Sequence, residues 1–250
     1  MRIYFLVSLL PCSQAHLFLA PTPLERRFLS AERKIRENLA KIQQRILTAA
    51  EGAGRDGSAI TLVAVTKSVG LDEIRILRDL GLSHFGENRV DIAREKIERL
   101  DDASLTWHMV GSVQRRKVKD VLHLFDTIDA VDRIALAEAL HRRCESEDLA
   151  CRALVEVNIS GEAQKHGIAP DVLDEVLDQL KQFDRVKIDG LMTMAPRAME
   201  RNGLIALFRQ LRTLADTHDL PVKSMGMSGD FEEAVEAGAT QLRVGRALFD

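Results

Sequence analysis

Lys67 ends the run TLVAVTKSVG (61–70), where apolar and β-branched residues give way to an amine, a serine and a glycine. A lysine at the carboxyl end of a buried strand, enclosed by apolar neighbours, has its charged form disfavoured. The fraction that becomes free amine attacks aldehydes and forms a Schiff base, whereas the position taken alone reads as an ordinary solvated lysine at a strand end. Two later stretches carry complementary chemistry. SMGMSGDFEEAVEAG (224–238) passes from a strand into an amphipathic helix through Gly226, Ser228 and Gly229, and RVGRALF (243–249) turns at Gly245. Ser228 is expected to cap the helix that follows it, Gly229 to admit a ligand close to the backbone, and the N–H groups at the helix start to attract an anion. Either turn alone needs glycine only for its geometry. Together, after the last two strands, they make a phosphate cup. An amine beside such a cup fits a sugar phosphate in an aldolase or pyridoxal 5′-phosphate (PLP), and length and fold do not separate the two.

These residues need a scaffold that brings strand ends together. The strand candidates are TLVAV, HFG, WHMVG, FDTID, ALVEVNI, VKIDGLM, KSMGM and QLRVG. Amphipathic runs with helical spacing alternate with them, from LDEIRILRDLG to DFEEAVEAG. Strands alternating with helices imply a parallel sheet. Eight such units at this length predict an α/β fold, a single closed (β/α)8 TIM barrel, with an open doubly wound sheet as the alternative. An additional N-terminal helix, with Ile35, Leu39, Ile42, Ile46 and Ala50 on one face, is available to cover the gap after the last strand. Ser30 is its expected N-cap, and Gly52 and Gly54 its stop. In such a barrel the active face is the carboxyl end of the strands, where Lys67 and both glycine turns fall.

Composition excludes other classes. With 46% hydrophobic and 29% charged residues the chain is globular, and no linker divides Ser30 to Asp250, which reads as one domain. A net charge of −3 and 4% aromatics give no field or stacking surface for nucleic acid, so the basic run QRRKVK (114–119) reads as a solvated helix face. Cys12, Cys144 and Cys151 read as isolated thiols of a reducing, cytoplasmic compartment. Residues 1–29 loosely resemble a secretory signal but lack a clean cleavage site, and are expected to be a tail arising from a start codon placed too far upstream. No stretch reads as membrane-spanning.

The segments LVAVTKSV, HFGENRV, WHMVGSVQRRK, VNISGEAQKHGI, GLMTMAP and SMGMSGDFEEAVEAGATQLRVGRALF occur in order, in a match that covers about Ile35 to the C-terminus. In these the chain resembles the pyridoxal phosphate homeostasis proteins, single-domain relatives of the barrel domain of alanine racemase. The resemblance implies a PLP-binding carrier without catalytic turnover, a monomer that stores PLP or delivers it to apo-enzymes. It further implies that Lys67 is the Schiff-base lysine and that Ser228, Gly245 and Arg246 hold the phosphate. Arg243 would face the pyridine nitrogen. Asn88, His108, Asn158 and Met225 would surround the cofactor or line the barrel mouth, and Lys165 would belong to a mobile loop. Two departures touch the loops: Arg89 stands where some relatives have tyrosine, and Arg116 replaces an asparagine while Lys117 keeps the lysine.

An arginine at the pyridine nitrogen cannot accept a proton, so the nitrogen stays unprotonated and the electron sink is weak. Racemases of this fold add a tyrosine base from another domain. The one tyrosine here is Tyr4, in the N-terminal stretch. A carrier is therefore the expectation, against a racemase-like enzyme, a Schiff-base aldolase or a scaffold with no small-molecule role.

Overall fold

The computed structural model describes residues 22–250; the expectations for the N-terminal stretch, including Cys12 and Tyr4, fall almost wholly outside them. Eight strands, β1 (Thr61–Val65), β2 (His84–Glu87), β3 (Thr106–Met109), β4 (Thr127–Val131), β5 (Cys151–Glu156), β6 (Val186–Met192), β7 (Val222–Ser224) and β8 (Gln241–Val244), close into a barrel in chain order. All pairings are parallel, and β1 closes on β8 with Thr61 opposite Gln241 and Ala64 opposite Val244. The connections carry α2 (Leu71–Asp79), α3 (Val90–Leu100), α4 (Val118–Leu124), α5 (Ile134–Glu147), α6 (Leu173–Leu180), α7 (Arg201–Thr217) and α8 (Phe231–Ala237). The short α9 (Arg246–Phe249) follows β8. The (β/α)8 expectation holds, and the open sheet is excluded.

The barrel works by strand alternation. On β8, Leu242 and Val244 join the outer apolar core between strands and helices, whereas Gln241 and Arg243 point into the barrel. On β1, Val63 and Val65 face inward: a Cβ placed on Gly86 of β2 would touch both. Inside, Ala130, Leu154 and Met192 form a small apolar cluster with Val222 against it. Buried polar residues, among them His108, Asp129, Gln241 and Arg243, take further inward positions.

The N-terminal helix α1 (Pro23–Gly52) seals the last gap, as expected. Asn38 Nδ2 donates to the carbonyls of Leu248 (3.2 Å) and Asp250 (3.1 Å), and Arg45 pairs with Glu232 at 2.6 Å. The Arg45 guanidinium also lies 4.5 Å over the Phe231 ring. Ile35, Leu39, Ile42, Ile46 and Ala50 are all buried. Ser30 is not the N-cap. The helix is already under way from Pro23, a residue whose fixed φ and missing N–H suit the first helical position. Among the described residues no helix is long and apolar enough to cross a membrane.

Candidate functional site at the barrel mouth

The amine comes first. β1 ends at Val65, and Lys67 follows two residues later at the carboxyl end of the strand. The preceding residue is clamped. Lys96 Nζ, from α3, donates to the Thr66 carbonyl (2.7 Å) and to Glu87 Oε1 (2.6 Å), and Thr66 Oγ1 donates to the same carboxylate oxygen at 2.7 Å. Lys96 and Glu87 are 8% and 0% exposed, and Glu87 Oε2 has no partner. A buried ion pair therefore fixes the backbone from which Lys67 springs. The expectation of an apolar enclosure is corrected: Lys67 is exposed, because β1 has ended and the chain has turned out into the open mouth.

The cup lies beside it. A Cβ on Gly245 would sit 3.1 Å from the Val65 carbonyl, so the turn after β8 abuts the end of β1. Ser228 Oγ accepts N–H bonds from Gly245 (3.3 Å) and Ala247 (3.2 Å), which joins the turns after β7 and β8 into one concavity. Contrary to the expectation from the sequence, Ser228 does not cap α8. Asp230 occupies the N-cap position and takes the Met227 N–H on its carboxylate, leaving Ser228 to reach seventeen and nineteen residues ahead. The N–H groups gathered at Ser228 thus belong to the turn after β8, not to α8. A Cβ on Gly229 would meet nothing within 4 Å, so that side of the cup is open. Gly226 is demanded twice, by φ of +90° and by Ala234 Cβ at 2.5 Å from any added Cβ. The Arg246 side chain is exposed at the rim.

Arg243 lies below the cup, 5% exposed, with Nη1 donating to Ser224 Oγ (2.5 Å) and Nη2 to the Thr193 carbonyl (2.9 Å). Burial pushes this guanidinium down from its ordinary value, while Asp129, Glu156 and Asp230 act in the opposite sense.

The other expected residues separate. Asn88 is exposed at the end of β2, where a Cβ on Gly111 would strike its carbonyl oxygen at 2.6 Å; the two backbones cross tightly at the rim. His108 lies inside the barrel, 4% exposed, hydrogen-bonded to His84 and Asp129. The Asn158 side chain is spent on its own loop, accepting from Ser160 and Gly161 and donating to the Glu162 carbonyl. Met225 is fully buried in the outer core. Lys165 crosses from the loop after β5 to the Met194 carbonyl (3.2 Å) beyond β6, and pairs with Glu162.

One acidic residue escaped the sequence reading. Glu156 shares the inward side of β5 with Leu154 and is 4% exposed. Its carboxyl is held above the usual range, first by burial and then by Asp132, with Arg243 and His166 opposing. The signal was available: a charge at an inward position of the apolar run ALVEVNI. Because the folded protein holds this proton more tightly than the unfolded chain, the ionised group opposes folding at neutral pH, and that cost fades as pH falls through the raised folded value and is gone below the unfolded carboxylate pKa of about 4.3. Glu156→Gln is therefore expected to raise the melting temperature at pH 7, with the gain shrinking towards pH 4. Calorimetry at the two pH values checks it.

The chain is similar to known proteins along nearly the whole barrel. Residues 33–250 match the family described as alanine racemase, N-terminal domain. A pyridoxal phosphate homeostasis protein of Aquifex aeolicus is 37% identical over 219 residues, covering 85% of this chain and 96% of that one. The structure of PipY from Synechococcus elongatus with PLP bound is 35% identical, covers 86% of this chain and 100% of that one, and superposes with a TM-score of 0.74. An alanine racemase from Clostridium difficile shares the fold at 13% identity and a TM-score of 0.65, over 82% of this chain and 55% of its own.

Proposed function

This chain belongs to the alanine racemase N-terminal domain family and, within it, to the pyridoxal phosphate homeostasis proteins, and we propose that it holds PLP at the barrel mouth for storage or delivery. The observation that carries the reading is that the Ser228–Gly245–Ala247 cup abuts the end of β1, two residues before Lys67, with the buried Arg243 two residues before Gly245 on the same segment. The residues fit the cofactor. The cup offers a hydroxyl whose own proton is uncommitted, beside two backbone N–H groups that make long bonds of 3.3 and 3.2 Å to its oxygen and would turn to an incoming phosphoryl group. Its open side at Gly229 leaves room for a ligand.

When bound, PLP supplies an aldehyde that condenses reversibly with a primary amine. Lys67 supplies that amine from a backbone fixed by Lys96 and Glu87. Ser228 and the turn after β8 hold the anionic end. Arg243, a pure donor, offers no proton-accepting atom to the ring. Turnover is not part of the reading. The alanine racemase likeness is one of fold, and the described chain places no tyrosine at the mouth. Polarimetry of L-amino acids incubated with the PLP-loaded protein tests this: unchanged rotation is expected, and many turnovers of racemisation would make the protein an enzyme.

Ser228→Ala is expected to weaken PLP binding by about 1.5–3 kcal/mol, the worth of a hydrogen bond to a charged acceptor. Equilibrium dialysis measures it, and an unchanged affinity would remove Ser228 from the site. The proposal extends to a cytoplasmic monomer that passes PLP to apo-enzymes. Free thiols at Cys144 and Cys151 support a reducing compartment. Leu29 and Leu47, eighteen residues apart on α1, and Val172 and Met194 elsewhere in the chain are the large exposed apolar side chains among the described residues, and their scatter supports the monomer.

A further inference from the structure

Arg243 meets the site from inside the barrel. Two residues further along the same segment, Gly245 gives its N–H to the cup, so whatever part of a ligand points inward from the cup approaches the guanidinium. What holds that guanidinium is a chain of side chains from five strands. Ser224 Oγ accepts from Arg243 Nη1 and also from Gln241 Nε2 at 2.9 Å, which occupies both lone pairs of the hydroxyl. Gln241 Nε2 donates its other hydrogen to Asp129 Oδ2 at 2.7 Å, across the barrel from β8 to β4. Asp129 also accepts from Thr127 Oγ1 (3.2 Å) and from His108 Nδ1 (3.2 Å). His108 Nε2 in turn lies 3.0 Å from Nδ1 of His84, half-buried at the start of β2.

The two ends fix the order of donors. A guanidinium only donates and a carboxylate only accepts, so Gln241 must present its amide N–H2 to both Asp129 and Ser224. With the His108 Nδ1–H committed to Asp129, a neutral His108 has Nε2 as acceptor, and His84 donates from Nδ1. Without the Asp129 charge nothing orients the Gln241 amide. Once that amide flips, its oxygen faces Ser224 and the hydroxyl rotates to donate to it, which re-aims the lone pairs that accept from Arg243 Nη1 and shifts the guanidinium against its remaining bond to the Thr193 carbonyl.

We propose that Asp129 is a positioning residue for the ligand, acting through Gln241 and Ser224 to hold Arg243 in place, with His108 and His84 extending the relay to the amino-terminal rim of the barrel. The proposal rests on the reading that the site takes PLP. Its reach is specific: the relay ends at Arg243 and does not touch the Ser228 cup.

The test compares the full chain with Asp129→Asn by equilibrium dialysis against PLP and, separately, against inorganic phosphate. It adds 15N NMR of labelled histidines in the ligand-free protein. Asp129→Asn is expected to weaken PLP by about tenfold to a hundredfold while phosphate binding changes by less than about twofold. Gln241→Met, which keeps the shape and removes the amide, should do the same if Asp129→Asn folds poorly. The spectrum of the unaltered chain should show His108 protonated on Nδ1, and Asp129→Asn should shift it. Equal PLP affinity in the variants, or parallel loss of PLP and phosphate, would overturn the relay. If the unaltered chain fails to bind PLP, the cofactor reading falls, and the histidine spectrum decides the relay alone: His108 protonated on Nε2 in place of Nδ1 would overturn it.

Discussion

Lys67→Ala abolishes the absorbance band of covalently held PLP and weakens total binding by at least about a hundredfold, or roughly 2.7 kcal/mol. The expected residue of affinity is the informative part. Ser228, Gly245 and Ala247 are untouched by the substitution, so phosphate-driven binding persists and inorganic phosphate competes with what remains. Spectroscopy reports the covalent component and dialysis the total, and the two should separate in this variant alone. Lys67 is exposed and clamped only through its backbone, so its loss should leave the melting temperature within the range of ordinary surface changes, about 0.5 kcal/mol. A variant that lost binding and stability together would point to misfolding in place of a missing amine.

The second large effect falls behind the site. Lys96→Met removes the cation that satisfies a fully buried Glu87, whose second oxygen already lacks a partner. Breaking a buried pair from one side leaves an uncompensated charge, with an expected cost of about 3–5 kcal/mol in urea denaturation. Removing both partners, as Lys96→Met with Glu87→Leu, should recover most of that loss, because two apolar side chains of similar volume carry no orphaned charge. The double variant then separates stability from function. Thr66 will have lost the Lys96 donor to its carbonyl and the short bond of its hydroxyl to Glu87, keeping its bonds to Gly86 and Val69, so the base of Lys67 is held less firmly even in a stable fold. PLP affinity should stay reduced in the double variant although stability returns.

Much of this architecture is legible in the chain because its signals are local. Each strand announces itself by a short apolar run, and each helix by its periodicity, within windows of a dozen residues. Where local signals compete, the reading slips. Ser30 looked like a cap, yet the leucine, glutamate and arginines before it are good helix formers, and Pro23 starts the helix a turn and more earlier. KSMGM read as a strand, but β7 stops at Ser224 because the chain must reach positive φ at Gly226. The stretch RRKVKDVLHL opens with a 3-10 turn at Arg115–Lys117 before α4 begins.

The site was half visible. The lysine at a strand end and two glycine turns are features of neighbouring residues, and the fold does bring them to one rim. The partner of Ser228 is not local: nothing near position 228 says that its hydroxyl serves N–H groups at 245 and 247. The relay under Arg243 was invisible for the same reason. Asp129 lies in FDTID and Gln241 in QLRVG, 112 residues apart, and only closure of the barrel makes them neighbours. Burial was misjudged in the other direction at Lys67, since an apolar strand says little about where the chain goes once the strand is over.

The central claim is that the Lys67 amine takes up PLP. Purified protein loaded with PLP, reduced with borohydride, digested and mapped by mass spectrometry tests it most directly. The account predicts one stable pyridoxyl adduct, on Lys67 in the peptide that follows TLVAVT, with bleaching of the absorbance band in equal measure. An adduct confined to Lys165 or another lysine, or none at all from protein that binds PLP, would contradict it.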